Sequence, residues 1–239
     1  MTNTEFKSGV IKPVECLKEA WESIKPNYWM LLAIAIVGMM LGGITMYVLL
    51  GAMMCGIYLC YLRAIDGQKV EFETLFKSFK YFWPSLPVII LFIGPMLAVF
   101  AVIYIPLITA TIMGARLSES EFMSLMFGSL AIDLVLTVVM VCLHTLLMFA
   151  FPLIVDRNLS GWQAIKVSAK AVWKNLGGVT GIWALMFAVN LVGLAAFCVG
   201  VYLTIPIILA TQLVAYRKVF PKPDNQPLDT PPPPSAFNL

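Results

Sequence analysis

The chain has 239 residues, 60% of them hydrophobic and only 12% charged, with a formal net charge of +3. That balance excludes an ordinary soluble domain and puts the sequence in the membrane class. The small positive excess does not point to nucleic acid, because the basic residues sit in short clusters beside long apolar runs.

The N-terminal segment, residues 1 to 27, is polar and of mixed charge. A cleavable signal has a short basic region and a short apolar core, so the first span is expected to stay in the mature protein. Beyond it, ionisable residues leave gaps of 37 residues between Lys25 and Arg63, 35 between Lys80 and Arg116, 22 between Asp133 and Asp156 apart from His144, and 42 between Lys174 and Arg217. A helical crossing needs about 20 apolar residues, so these gaps hold more than four spans.

Gly42-Gly43 and Val199-Gly200 offer places for the longest gaps to turn. Spans are expected near 28 to 43, 46 to 62, 86 to 111, 128 to 154, 177 to 197 and 200 to 216. The resulting segments are a hairpin over 28–62, a cytoplasmic helix over 63–83, a hairpin over 84–155, a cytoplasmic helix over 156–176, a hairpin over 177–217, and a proline-rich disordered tail over 218–239. Of 16 Lys and Arg, all but Arg116 then fall on one side, which the positive-inside rule makes cytoplasmic together with both termini.

A helix-spaced apolar stripe ends each cytoplasmic segment. The first is Val14, Leu17, Trp21, Ile24 and Tyr28; the second Phe72, Leu75, Phe76, Phe79 and Trp83; the third Trp162, Ile165, Ala169, Val172 and Trp173. Charged residues, including Lys166, Lys170 and Lys174 at four-residue steps, take the opposite faces, as in helices that lie in the membrane interface. The expected fold is therefore an all-α integral membrane protein of six spans in three hairpins, each preceded by a cytoplasmic amphipathic helix.

SIKPNY, SFKYFW and SAKAVW, which begin at residues 23, 78 and 168, carry the same Ser-x-Lys-x-x-aromatic pattern. An offset of 90 aligns Asp66 with Asp156, Phe72 with Trp162, Leu75 with Ile165, Ser78 with Ser168, Lys80 with Lys170 and Trp83 with Trp173. An internal repeat accounts for this, against the plainer alternative that Lys and aromatics are common at membrane boundaries. In either case Tyr28, Trp83 and Trp173 are interface anchors, and Lys25, Lys80, Lys166, Lys170 and Lys174 are candidate contacts to anionic lipid. Ser160 and Gln163 have capping-box spacing ahead of the third helix.

FPLIVDRNLSGWQAIKVSAKAVWKN, followed by a glycine-rich hairpin and AYRKVF, resembles a broad group of poorly characterised bacterial inner-membrane proteins. It is also similar to the membrane domain fused to some glycerophosphodiester phosphodiesterases. The positions that carry the resemblance are Pro152, Asp156, Ala164, Ser168, Lys170, Asn175, Tyr216 and Arg217. The resemblance implies six helices in a bacterial inner (cytoplasmic) membrane and transfers no catalytic residue.

Ionisable and polar groups inside a bilayer are functional suspects. Asp133, Thr137 and His144 share a face of the fourth span, but a rise of about 16 Å separates Asp133 from His144, which rules out an acid-base dyad. Asn190 on the fifth span lies at a depth suited to a hydrogen bond with Asp133, and Gln212 on the sixth at a depth close to His144. These five residues form either interhelical glue or a polar path.

Cys16, Cys55, Cys60, Cys142 and Cys198 have no ligand spacing, and one His with dispersed Cys does not make a zinc site. The 14 methionines read as deformable apolar filler rather than a copper site. No nucleophile, phosphate-loop or metalloprotease motif is present. The expectation is a protein that is not an enzyme and needs no cofactor, an accessory or scaffold component engaging membrane lipids and a membrane-protein partner or a homo-oligomer. The alternative is a small transporter or lipid-handling protein.

Overall fold

The computed structural model describes residues 5–112, 118–195 and 199–222. Arg116, Cys198 and the expected tail from residue 223 lie outside the described residues. Within them every regular element is helical: α1 Pro13–Ile24, α2 Tyr28–Ile44, α3 Leu50–Ile65, α4 Phe82–Val99, α5 Ile105–Ile112, α6 Glu119–Leu146, α7 Ala150–Arg157, α8 Gly161–Lys174, α9 Leu176–Ala195 and α10 Val199–Val219. A 3-10 turn, Lys25–Asn27, joins α1 to α2, and a π turn, Phe100–Tyr104, joins α4 to α5.

Among the described residues, five helical stretches are long and apolar enough to cross a membrane: Pro13–Ile44, Phe72–Val99, Met123–Arg157, Leu176–Ala195 and Gly200–Val219. The expected second span is the exception. Helix α3 has 16 residues, about 24 Å, and nearly all of it is buried inside the protein. Its apolar composition is that of a core helix covered on all sides.

The first connection also differs from expectation. Helix α2 continues through Gly42-Gly43, and the chain reverses at Thr45–Leu49 with Met46 and Tyr47 in the left-handed region. The stretch Phe72–Tyr81, expected as an α-helix, is a 3-10 run. Its buried residues Leu75, Ser78 and Tyr81 recur every three residues, the 3-10 repeat.

The chain divides into two compact units, Met1–Val88 with Leu146–Leu239, and Ile89–Thr145. In the first, Tyr61 donates to the Leu31 carbonyl at 3.1 Å and ties α3 to α2. Gly56 admits the 72–81 run, since a Cβ there would stand 2.6 Å from both the Leu75 carbonyl oxygen and the Ser78 hydroxyl. Helix α8 opens on the expected cap, the Ser160 amide donating to Gln163 Oε1 at 3.3 Å.

Helix α1 packs along α10 for its whole length. Lys218 meets Glu19 at 2.8 Å and Glu15 at 3.9 Å at one end, and the Tyr28 hydroxyl donates to the Leu203 carbonyl at the other. Leu17 sits between α9 and α10 beside Leu185, Met186 and Ile207. Helix α1 runs antiparallel to α10 and buries one face, Cys16, Ala20 and Ile24, with Val14 and Trp21 outward.

A strap precedes it. Lys7 N donates to Val219 O at 2.9 Å, Gly9 N to Asn175 Oδ1 at 2.7 Å, and Asn175 Nδ2 to Lys7 O at 3.1 Å. Ile11 packs on Gly178, where a Cβ would come within 2.5 Å of it.

In the second unit, α6 shows exposed apolar side chains around most of its circumference, among them Phe127, Leu130, Leu134, Val135, Val138 and Val141. The half-covered positions Ser129, Asp133, Leu136, Met140 and His144 form one stripe at helical spacing.

Candidate functional site

Three helices of the first unit end at one point: α3 at Asp66, α7 at Asp156 and Arg157, and α10 at Tyr216 and Arg217. Arg217 grips Asp66 with two parallel bonds, Nε to Oδ1 at 3.0 Å and Nη2 to Oδ2 at 2.8 Å. Its Nη1 faces Asp156 Oδ1 at 2.7 Å. The other Asp156 oxygen accepts from the Tyr216 hydroxyl at 2.6 Å and lies 3.2 Å from Arg157 Nε. Lys222 stands 3.9 Å from Asp66.

The side chains are 11%, 6% and 1% exposed for Arg217, Asp66 and Asp156. Two buried carboxylates without a cation would be strongly unfavourable, and one planar guanidinium bonds Asp66 on one side and sets its positive charge beside Asp156 on the other. Asn158 closes α7 in the left-handed conformation, and Phe149, Tyr216 and Phe220 pack their rings around the cluster.

The offset that relates Asp66 to Asp156 also relates Tyr58 to Met148 and Gly56 to Leu146. Gln212 touches the first of these pairs on both sides: its Oε1 accepts from the Tyr58 hydroxyl at 3.4 Å and its Nε2 donates to Met148 O at 2.5 Å. The second pair is met by the two aligned serines. Ser78 packs on Gly56, and the Ser168 hydroxyl donates to Leu146 O at 2.6 Å while accepting from Phe149 N at 3.1 Å.

The candidate lipid contacts lie on the surface of their helices. Helix α8 turns Ala164, Ser168 and Ala171 inward and leaves Lys166, Lys170 and Lys174 exposed. Trp162 and Trp173 of the expected apolar stripe are also outward, 53% and 70% exposed. The same division holds in the 72–81 run, where Phe72, Phe76 and Phe79 are exposed, as is Trp83 at the start of α4. Lys80 lies 5.1 Å from the ring centre of Tyr81. Lys25 is exposed and pairs with Glu22. Tyr28 is half-buried between Trp21 and Trp29 in edge-to-face contacts.

The five residues expected to form a polar path take partners within their own units. Asp133 accepts from the Tyr104 hydroxyl at 2.5 Å. The Thr137 hydroxyl bonds back to the Asp133 carbonyl at 2.8 Å. His144 stacks on Phe92 at 3.8 Å, with Nε2 3.2 Å from the Phe92 carbonyl, so the Nε2–H tautomer donates there. Asn190, expected to bond Asp133, donates to Met186 O at 3.1 Å and faces the Thr204 hydroxyl at 3.5 Å. Gln212 bridges Tyr58 and Met148. Tyr104, Tyr58 and Thr204 are partners that the search for ionisable residues passes over, since a hydroxyl in an apolar run carries no charge signal.

Among the described residues no group of three His, Cys, Asp or Glu side chains is placed to hold a metal ion. Compared with protein-family models, curated proteins and solved structures, the chain has no match. Fold and site define the class in physical terms: an all-helical protein with five helices long and apolar enough to cross a membrane among its described residues, and a buried ionic junction of three helix ends.

Proposed function

We propose that the chain is a non-catalytic, six-span protein of a bacterial inner membrane, with both termini cytoplasmic, that engages anionic lipid through its cytoplasmic helices. The observation that carries this reading is the outward face of α8, where three lysines at four-residue steps stand beside two exposed tryptophans while Ala164, Ser168, Ala171 and Val172 pack inward. Lysine heads at the headgroup level with indoles beside them bind anionic membrane at about 1 kcal/mol per Lys. The ionic junction holds the helix ends from which that surface projects.

The six-span count includes α3 as a short crossing in the middle of the bundle. The paired contacts of Gln212 and Arg217 with repeat-related residues support an internal duplication, with α10 serving both copies. They also favour kinship with the six-helix inner-membrane group, whose Asp156, Tyr216 and Arg217 positions meet in the junction.

The test is binding of the purified chain, held in nanodiscs, to vesicles rich in phosphatidylglycerol. Changing Lys166, Lys170 and Lys174 together to Gln is expected to weaken binding by about 3 kcal/mol at low salt, roughly a hundredfold. Unchanged binding in the triple variant would sink the lipid reading.

A further inference from the structure

A groove of about 510 Å³ opens between α1 and α10, directly beside the ionic junction. Its walls carry both signs of charge: Lys18 and Lys218 on one hand, Glu19 and Glu22 on the other. Ile65 and Val214 add apolar surface, and Arg217 reaches it from the junction. Arg217 has both aspartates as partners, so it contributes a fixed wall. Lys218 is held in place by Glu19 at 2.8 Å and Glu15 at 3.9 Å. Lys18 and Glu22 are exposed, and Glu22 pairs with Lys25 three residues on, a surface pair whose ammonium a ligand ammonium can replace.

A simple anion entering this groove meets two carboxylates, and a simple cation meets two ammonium groups. A ligand carrying a phosphate and an ammonium a few bonds apart matches both. We propose that the groove holds the zwitterionic headgroup of an aminophospholipid, the phosphate toward Lys18 and Lys218, the ammonium toward Glu22, and the glycerol carbons against Ile65 and Val214. A primary ammonium brings three N–H donors to the carboxylate, which a trimethylammonium lacks. The inference rests on the membrane reading above, which puts the Arg217–Lys218 end of α10 at headgroup depth.

The experiment is native mass spectrometry of the full chain released from nanodiscs of equal phosphatidylethanolamine, phosphatidylcholine and phosphatidylglycerol. The expected result is retained phosphatidylethanolamine, several-fold over phosphatidylcholine. The paired change Lys18→Gln with Glu22→Gln, both at exposed positions, is expected to remove that excess and leave phosphatidylglycerol unchanged. The α8 triple variant is expected to do the reverse, which separates failure of the groove from failure of the α8 reading.

Equal retention of the ethanolamine and choline lipids by the unmodified chain would overturn the proposal. So would loss of phosphatidylethanolamine only in the α8 triple. Competition by free O-phosphoethanolamine would confirm the headgroup chemistry. Binding of O-phosphoethanolamine without retention of the lipid would overturn the lipid assignment and leave a soluble phosphoamine as the ligand.

Discussion

The two units bury polar groups in different ways. In Met1–Val88 with Leu146–Leu239, carboxylates, guanidinium groups and a phenol form one continuous junction at the meeting of three helices. In Ile89–Thr145, polar groups are satisfied in isolated pairs, Tyr104 with Asp133 and His144 with Phe92, along a helix whose apolar side chains mostly face outward. The contrast separates two uses of apolar sequence. One unit spends it on packing protein against protein, and the other leaves it to the surroundings, as a lipid-facing hairpin would.

The sharpest break of that contrast is Arg217→Met. It takes the shared cation from Asp66 and Asp156 in a buried site, leaving Arg157 beside Asp156 and the more distant Lys222 beside Asp66, and a loss of about 3–5 kcal/mol is expected in denaturant or thermal unfolding. Adding Asp66→Asn and Asp156→Asn is expected to restore much of the loss; if it does not, the junction is not what Arg217 stabilises.

Gly56→Ala comes next. Its Cβ would press on the Leu75 carbonyl and the Ser78 hydroxyl at 2.6 Å, for an expected cost of about 1–3 kcal/mol. Unfolding midpoints measured beside a Gly43→Ala control, where a Cβ meets nothing within 4 Å, provide the check.

The smallest effect belongs to the second unit. Asp133→Asn keeps an acceptor for Tyr104 and is expected to change stability by no more than about 0.5 kcal/mol. If the chain is instead a small transporter, the same substitution abolishes solute uptake in reconstituted vesicles with the fold intact, and that outcome would replace the lipid-binding reading.

Much of the element plan was legible in the sequence. Charge gaps located the long apolar helices, and the Ser160–Gln163 spacing identified the start of α8. The 90-residue offset picked out Asp66 and Asp156 as equivalent, yet nothing in it said that Arg217 joins them. That contact spans 151 residues on one side and 61 on the other, and periodicity along a chain carries no information about which helix ends converge.

The inward face of α8 was not legible for a different reason. The apolar stripe follows hydrophobicity and so passes over Ala164 and Ser168, whereas α8 packs Ala164, Ser168, Ala171 and Val172 inward and turns the indoles out. Where apolar surface meets lipid rather than water, small residues win the close contacts and hydrophobicity loses its force. The 72–81 run escaped because positions three apart fit an α-helix and a 3-10 helix alike over ten residues.

The N-terminal strap sets an order of events during synthesis. Lys7 is made well before Asn175 and Val219, which are its backbone's partners in the folded state. The strap must therefore wait for these partners until α10 has emerged. Asp66 and Asp156 wait for the same moment, since their shared cation is residue 217. Closure of the junction therefore depends on α10, and a chain stalled before it would hold Asp66 and Asp156 without Arg217 to neutralise them.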